Sequence, residues 1–187
     1  MRLPALSVEE MTPQQREVHD RIVGRRGRLG GPYPVWLRNP QLCERAEALG
    51  AYVRFESSLP LKLRELSILL TARFWDAQYS WNAHVDTAVA AGISRDAVDA
   101  IAGKREPAFA EADERIFYQF SMELLRDPYV SEKTFEGARQ QFGESGVVDI
   151  VASIGSFSML AMVLNAFLVD LKGPPPFADI GTRPYER

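Results

Sequence analysis

One long apolar stretch limits the possible folds of this chain more than any other feature of the sequence. It covers residues 147–169 (VVDIVASIGSFSMLAMVLNAFLV). A membrane-spanning helix needs about 20 predominantly apolar residues in a row. Here Asp149, Asn165 and several small residues interrupt the run. The pattern therefore predicts a helix buried in the core of a globular protein, and we expect no membrane partner.

Helix signals also recur along the rest of the sequence, whereas alternating strand patterns and Asn-Gly or Asp-Gly turns are missing. The predicted helices cover approximately residues 12–24, 39–55, 60–74, 76–92, 94–102, 109–126, 131–142 and 146–170. The third of these, from Pro60, has apolar residues spaced for burial on one side. Residues 24–34 (GRRGRLGGPYP) are rich in Gly and Pro, which predicts a loop. The predicted fold class is therefore all-α.

The length and composition of the chain favour a single domain that is stable without disulfide bonds. We expect this domain to cover residues 1–172, and a Pro-rich tail over 173–187 to be mobile or to pack on a partner subunit. The net charge of −3 argues against a nucleic-acid partner. Cys43 is the only cysteine, which excludes an intrachain disulfide and a CxxC site. The sequence starts without a secretory-signal pattern, and we expect a cytoplasmic protein.

His84 is the strongest candidate for acid–base chemistry. Ser80 lies four residues earlier and so shares its helix face. Glu65 is more distant, and one unbroken helix would hold it roughly 28 Å from His84. The segment WDAQY (75–79), with Asp76 as N-cap, predicts a break that lets the two side chains meet. A carboxylate contact would fix the tautomer of His84 and raise its basicity; without one, His84 is a half-buried polar residue.

Residues 59–101 (LPLKLRELSILLTARFWDAQYSWNAHVDTAVAAGISRDAVDAI) resemble the core motif of the carboxymuconolactone decarboxylase family, which includes the alkyl hydroperoxidase D proteins. The shared pattern is a glutamate on an apolar helix, a break, and a second helix that carries a histidine. The resemblance implies an all-α fold that forms homotrimers or homohexamers, with Glu65 and His84 as the proton-relay pair. The peroxidase branch has a CxxC pair where this chain has Ala77 and Ser80. We therefore expect no thiol peroxidase activity, because a thiolate must attack the peroxide.

The decarboxylase branch of the family needs neither a thiol nor a cofactor. The resemblance therefore implies a cofactor-free lyase that acts on a small carboxylated lactone or ring compound. We expect His84 to transfer the proton while Glu65 orients it, in an apolar pocket with a cationic group for the substrate carboxylate. The residues predicted to contact the substrate are Arg73, Trp75, Tyr79 and Trp81.

Several of these residues also have a purely structural interpretation. Trp75 and Trp81 are typical of core packing, and Arg73 can pair with Asp76 or with Glu65 instead of a substrate. The predicted Gly-rich loop contains three arginines, Arg25, Arg26 and Arg28. They are either solvated surface charges or a patch through which an anionic substrate enters.

Two further functions fit the same residues. A non-catalytic oligomer that binds a small ligand would have kept the fold after losing the redox thiols. Alternatively, Ser80, His84 and Glu65 are the three parts of a nucleophile, base and orienter set, as in a lactonase or esterase. We expect no metal site, because Glu65 and His84 supply only two ligands and His19 is isolated in the sequence.

Overall fold

The structure, a computed structural model, describes residues 1–180, and every regular element in that part of the chain is helical. This finding confirms the predicted all-α class. The α-helices are α1 (Pro13–Arg26), α2 (Tyr33–Trp36), α3 (Pro40–Ala51), α4 (Leu61–Phe74), α5 (Gln78–Ala90), α6 (Arg95–Ala102), α7 (Ala112–Arg126) and α8 (Glu132–Ala166). A 3₁₀ turn over Val8–Glu10 precedes α1, and a π-helical segment over Tyr52–Glu56 follows α3.

Side-chain caps set the starts of several helices. The capping side chains, each bonded to a backbone N–H three residues later, are those of Thr12, Asn39, Ser94 and Ser131. Helix α1 continues beyond the predicted end at residue 24 to Arg26, where Gly27 ends it with a φ of 73°. Only the remainder of the predicted loop connects α1 to the short helix α2.

Helix α4 is the centre of the core, and it packs against α5, α7 and α8. The prediction that this helix is buried on one side is wrong, because its polar positions are buried as well. Ser67 and Thr71 are at most 1% exposed, and their hydroxyls donate hydrogen bonds to backbone carbonyls of the preceding turn. A helix that is covered on all sides can bury a charged group such as Glu65 only where another group hydrogen-bonds or neutralises it.

The predicted break between α4 and α5 is present, but Asp76 does not cap α5. Asp76 adopts a left-handed backbone conformation with a φ of 51°, and Ala77 occupies the N-cap position. The Asp76 carboxylate instead binds the guanidinium of Arg73 and, at 3.2 Å, the ammonium of Lys104. The turn reverses the chain, so α5 runs back along α4.

Helix α8 contains the long apolar stretch, and Gly143 kinks it with a φ of 71°. The kink separates the two helices predicted over 131–142 and 146–170, although the second ends at Ala166. By length and composition alone α8 could cross a membrane, and 50% of its most apolar window is buried inside the protein. Asp149 is also buried and accepts hydrogen bonds from Tyr52 and Ser58. Burial alone would raise the pKa of Asp149, but these hydrogen bonds outweigh it and lower the pKa.

The tail after α8 packs on its own chain as far as the structure describes it, which corrects the expectation of a mobile or partner-bound segment. Phe177 is 1% exposed, and its ring meets the Trp81 ring edge-on at 5.1 Å. The Asn82 amide donates hydrogen bonds to the carbonyls of Lys172 and Pro174. The aromatic side chain of this Pro-rich segment is thus buried in the core. The last part of the predicted tail, residues 181–187, lies outside the described residues.

Candidate active site

Glu65 of α4 and His84 of α5 meet within one chain. The Glu65 Oε2 and His84 Nδ1 atoms are 2.8 Å apart, which is hydrogen-bond distance. The Glu65 side chain is 4% exposed and that of His84 is 17% exposed. The pair forms because the turn at Asp76 sends α5 back along α4, so that residues distant in sequence face each other.

This contact determines which ring nitrogen of His84 can react. With Nδ1–H donating to the Glu65 carboxylate, the proton-exchanging atom is Nε2. Within residues 1–180 no protein group hydrogen-bonds Nε2. The imidazole is therefore oriented by a buried carboxylate and has its second nitrogen available to a bound molecule.

A cavity of about 580 Å³ opens onto this pair. Its size is in the usual range for a small-molecule site. The apolar part of the wall comes from α2, α3 and α8 and includes Tyr33, Trp36, Phe157 and Leu160. The polar part comes from the end of α1, the loop before α2, the π-helical segment and α5, and it includes Arg26, Arg28, Arg54, Tyr79, Ser80 and His84. The cavity is therefore apolar on one side and cationic on the other.

Arg28 and Arg54 are the cations of this wall without a carboxylate partner at ion-pair distance in the described chain, and Arg54 is the half-buried one. Burial lowers the pKa of its guanidinium, and the nearby Glu65 carboxylate opposes that effect. Its guanidinium lies 5.0 Å from the centre of the Phe55 ring. A half-buried guanidinium without a counter-ion favours binding of an anion.

The three arginines predicted in the Gly-rich loop all line the cavity, although Arg25 and Arg26 belong to the end of α1 and only Arg28 lies in the loop. Arg26 and Arg25 bind the buried Glu47 carboxylate at 3.2 and 3.4 Å. The Nη2 atom of Arg26 is buried and has no hydrogen-bond partner within residues 1–180. It remains a donor that a ligand can satisfy.

Tyr79 and Ser80, both predicted as site residues, line the cavity beside His84. The Tyr79 hydroxyl accepts a hydrogen bond of 3.1 Å from the backbone N–H of Gly31, which ties α5 to the Gly-rich loop. Ser80 is 5% exposed. Across residues 1–180, no hydrogen bond joins its hydroxyl to the imidazole of His84, so the chain lacks the nucleophile–base contact of a serine hydrolase.

Arg73 does not line this cavity, so the prediction that it meets a substrate carboxylate beside His84 is not supported by its position. It is 3% exposed and bonds Asp76, Asp179 and the carbonyl of Ala102. Its hydrogen bonds lower the pKa of the Asp179 carboxyl. Of the two interpretations of Arg73, the ion pair with Asp76 is the one observed, and it braces the turn between α4 and α5.

The two tryptophans predicted to contact the substrate also lie away from the cavity, where core packing accounts for them. Trp81 is 3% exposed and packs on Phe177. Trp75 packs edge-on against Phe74 with 5.3 Å between ring centres, and its carbonyl accepts a hydrogen bond from the Asn165 amide. A tryptophan near a helix end occurs equally in cores and in pockets, so the sequence pattern does not distinguish them.

Sequence reasoning missed the residues of the cavity that precede α4. Arg54, Phe55 and Tyr33 belong to segments with no catalytic motif, and only the packing of the π-helical segment and α2 brings them to His84. One signal was available, namely a charged residue on the apolar stretch YVRF (52–55). A lone arginine there is too common to identify a site.

Cys43 is a core residue and is predicted to be chemically inert. It is fully buried, and burial raises the pKa of its thiol to about 11. At pH 8 roughly one thiol in 1,000 would be a thiolate. We expect iodoacetamide to leave the folded protein unmodified, as followed by intact-mass spectrometry, and to label it completely in concentrated urea. Rapid labelling of the folded protein would contradict this prediction.

No group of three or more His, Cys, Asp or Glu side chains among residues 1–180 is arranged to hold a metal ion. His19, the other histidine, is on α1 and pairs with its neighbour Asp20 at 2.8 Å. The chemistry that the cavity itself offers is therefore that of an imidazole, a carboxylate and guanidinium groups.

Comparison with known structures identifies the fold. A peroxidase-related protein from Silicibacter sp. TM1040 aligns over 92% of this chain and 91% of its own, with a TM-score of 0.74 and 16% identity. A second, described as an alkylhydroperoxidase AhpD core protein from Ralstonia eutropha JMP134, aligns over 91% and 92%, with a TM-score of 0.75 and 15% identity. The debrominase Bmp8, solved with 2,3,4-tribromopyrrole, aligns over 93% and 92%, with a TM-score of 0.70 and 18% identity. At these identities the likeness shows a shared fold.

The sequence itself matches a family model over the segment that builds the site. The model of the carboxymuconolactone decarboxylase family matches residues 40–117, which include Glu65, His84 and the turn between α4 and α5. No curated protein sequence matches the chain significantly. The match covers α3 to α7, and the AhpD-like fold extends over nearly all of the chain. Residues 40–117 of the chain therefore match the carboxymuconolactone decarboxylase family, as the sequence motif predicts, and the rest of the chain shares the AhpD-like fold.

Proposed function

We propose that this protein is a cofactor-free decarboxylase of a small carboxylated lactone or ring compound. The observation that carries the proposal is the 2.8 Å contact between Glu65 and His84 at a cavity that also presents the unpaired guanidinium of Arg54. These groups supply an oriented proton carrier and a cation for an anionic substrate. The missing CxxC pair speaks against the thiol chemistry of the peroxidase branch.

The proposed reaction on a lactone begins with the substrate carboxylate in the cavity. The bond from the ring to the carboxylate breaks, CO2 leaves, and the electron pair moves to the lactone carbonyl oxygen. Arg54 stabilises the anionic oxygen, and protonated His84 donates its Nε2 proton to the ring carbon. Glu65 keeps Nδ1–H and stabilises the imidazolium before transfer. A proton from solvent then restores the imidazolium of His84, so the net reaction converts the substrate carboxylate and one proton into CO2 and the decarboxylated lactone.

The apolar wall contributes to the same reaction. Phe157 is 4% exposed and, with Leu160, faces the cavity opposite the cationic wall. A carboxylate in such surroundings loses hydration, whereas the delocalised enolate and neutral CO2 lose less. The wall therefore favours loss of CO2 over retention of the localised charge.

Arg54→Gln tests the anion-binding role. We expect kcat/KM for carboxymuconolactone to fall by about 10- to 150-fold, because a hydrogen bond to a charged group contributes about 1.5–3 kcal/mol. Most of the effect should appear in KM, since Arg54 holds the substrate both before and during the reaction. The assay measures CO2 release and, in D2O, incorporation of one deuterium into the ring of the product.

The matched control is Arg139→Gln, because Arg139 is a surface residue that pairs only with Glu136 on α8. It should leave both kinetic constants unchanged. If the wild-type protein releases no CO2 from carboxymuconolactone or from related carboxylated lactones, the decarboxylase proposal fails and a non-catalytic ligand-binding function takes its place.

We also propose that the protein is a homo-oligomer, assembled through the apolar face of α8. Val148, Val151 and Met162 are 67%, 45% and 46% exposed and share one side of the helix. Tyr52, which is hydrogen-bonded to Asp149, joins this face to Phe55 at the cavity. A second copy is the occupant that fits, because the face offers no charge to a charged partner and a twofold contact pairs it with itself.

Light scattering after gel filtration tests the assembly. We expect wild-type protein to be oligomeric and Val148→Glu/Val151→Glu to be monomeric, because the buried face would then carry unpaired carboxylates. Tyr129→Glu, at an 83% exposed position outside α8, is the control and should keep the wild-type mass. A monomeric wild-type protein would contradict the proposal.

A further inference from the structure

A second cavity, of about 470 Å³, lies between α4, α6 and α7. It shares no lining residue with the cavity at His84. Its lining residues are Leu70, Arg73, Phe74, Ile101, Lys104, Arg105, Glu106, Tyr118, Met122 and Arg126. Neither the family motif nor the proposed reaction uses this cavity.

The floor of this second cavity is apolar. Leu70 and Ile101 are 2% and 5% exposed, and Phe74 and Met122 complete the surface beside them. Tyr118 adds an aromatic ring, and burial raises the pKa of its hydroxyl, which therefore stays protonated at neutral pH. The floor can cover an apolar body and offer one hydroxyl to it.

The rim of the cavity is cationic, although the whole chain carries a net charge of −3. The cationic side chains of the lining are those of Arg73, Lys104, Arg105 and Arg126, against the single carboxylate of Glu106. This excess of positive charge creates a local potential that favours an anion.

Two of these cations remain available for a ligand. Arg73 is held by Asp76 and Asp179, and Lys104 is held by Asp76. Among residues 1–180, by contrast, the one hydrogen bond of the Arg105 guanidinium is to the backbone carbonyl of Asp99, at 3.3 Å. Arg126 is exposed, its guanidinium is within hydrogen-bonding reach of the Tyr118 hydroxyl, and it has no carboxylate within ion-pair distance in the described residues. The available guanidinium groups therefore stand directly above an apolar floor.

We propose that this second cavity binds a small organic anion, namely a carboxylate attached to one aromatic ring or a short acyl chain. Arg105 and Arg126 receive the carboxylate through charge-assisted hydrogen bonds. The ring or acyl chain lies on Leu70, Phe74 and Met122 and displaces water from them. An inorganic anion would leave this floor uncovered, and a neutral ring would leave the two guanidinium groups without a partner.

The site is independent of the proposed decarboxylation. Its ligand contacts α4 near the C-terminal end of that helix, whereas Glu65 lies on an earlier turn and is connected to the first cavity through His84. Binding is therefore measurable whether or not the protein turns over a substrate. His84→Gln, which should stop turnover, should leave binding at the second cavity unchanged.

Fluorine NMR of 4-fluorophenylacetate with the full-length protein, in a buffer free of organic anions, tests the proposal. We expect saturable binding, weakened about tenfold or more by Arg105→Gln and by Arg126→Gln, because each removes one charge-assisted contact. The neutral probe 4-fluorophenylacetamide should bind at least about tenfold more weakly than the acid. Arg139→Gln is again the control and should bind like the wild type.

A variant of the first cavity decides where the probe binds. Arg54→Gln should leave binding of 4-fluorophenylacetate unchanged. The proposal is overturned if Arg54→Gln abolishes binding while the Arg105 and Arg126 variants retain it, or if the amide binds as well as the acid. It is also overturned if inorganic phosphate displaces the probe at equal concentration, or if no saturable binding is detected up to about 10 mM.

Discussion

Replacing His84 by Gln is expected to lower kcat for decarboxylation of carboxymuconolactone by about 10²- to 10⁴-fold, the usual contribution of a positioned proton donor. Gln has a similar size and can still bond Glu65, but it cannot deliver a proton to carbon. The KM should change little, because Arg54 and the apolar wall bind the substrate. The assay is CO2 release at substrate saturation, with the melting temperature recorded to verify folding.

His19→Gln is the matched control for this variant. His19 also contacts a carboxylate through Nδ1, at 2.8 Å from Asp20, but it lies on α1 outside the cavity. Its loss should leave kcat unchanged. If His84→Gln keeps kcat within about twofold of wild type, the histidine orients structure and does not transfer the proton.

Glu65→Gln separates the orientation of His84 from its chemistry. The amide keeps an acceptor for Nδ1–H but removes the charge that stabilises the imidazolium. We expect a smaller loss of kcat than for His84→Gln, and the double variant should lose no more than His84→Gln alone. Residues that act as a unit show such non-additivity, whereas independent residues multiply their effects.

The pairing of Glu65 with His84 was predictable because it depends on features local in sequence. Helix geometry limits how far apart the two residues can lie on one helix, and the segment 75–79 marks where that helix must break. The identity of the capping residue was not predictable with the same certainty. Asp is a residue type common at N-caps. The Asp76 carboxylate instead forms ion pairs with Arg73 and Lys104, and these compete with a hydrogen bond to the helix backbone.

Arg73 and Arg54 show why contacts between distant parts of the chain escaped prediction. Arg73 binds Asp179, 106 positions later in the chain, and no periodicity relates the two residues. Arg54 likewise reaches the cavity because α8 supports the segment before α4. A lone charge in an apolar segment predicts that a partner exists, and only tertiary packing determines which partner it is.

Phe177→Ala is expected to lower the free energy of unfolding by about 3–5 kcal/mol, which is the cost of removing a fully buried aromatic side chain. Phe177 is 1% exposed, packs edge-on against Trp81, and lies 4.3 Å beneath the guanidinium carbon of Arg73. The measurement is urea unfolding followed by tryptophan fluorescence. Tyr129→Ala, at an 83% exposed position, is the control and should change stability by no more than about 0.5 kcal/mol.

A loss below about 1 kcal/mol would mean that the segment after α8 does not belong to the core in solution. The same variant has a consequence for the site, because Phe177 lies under Arg73, which braces the turn that joins α4 to α5. Loosening that turn should disturb the register in which Glu65 faces His84. We therefore expect Phe177→Ala to lower kcat even at temperatures where the protein remains folded, an effect that Tyr129→Ala should not share.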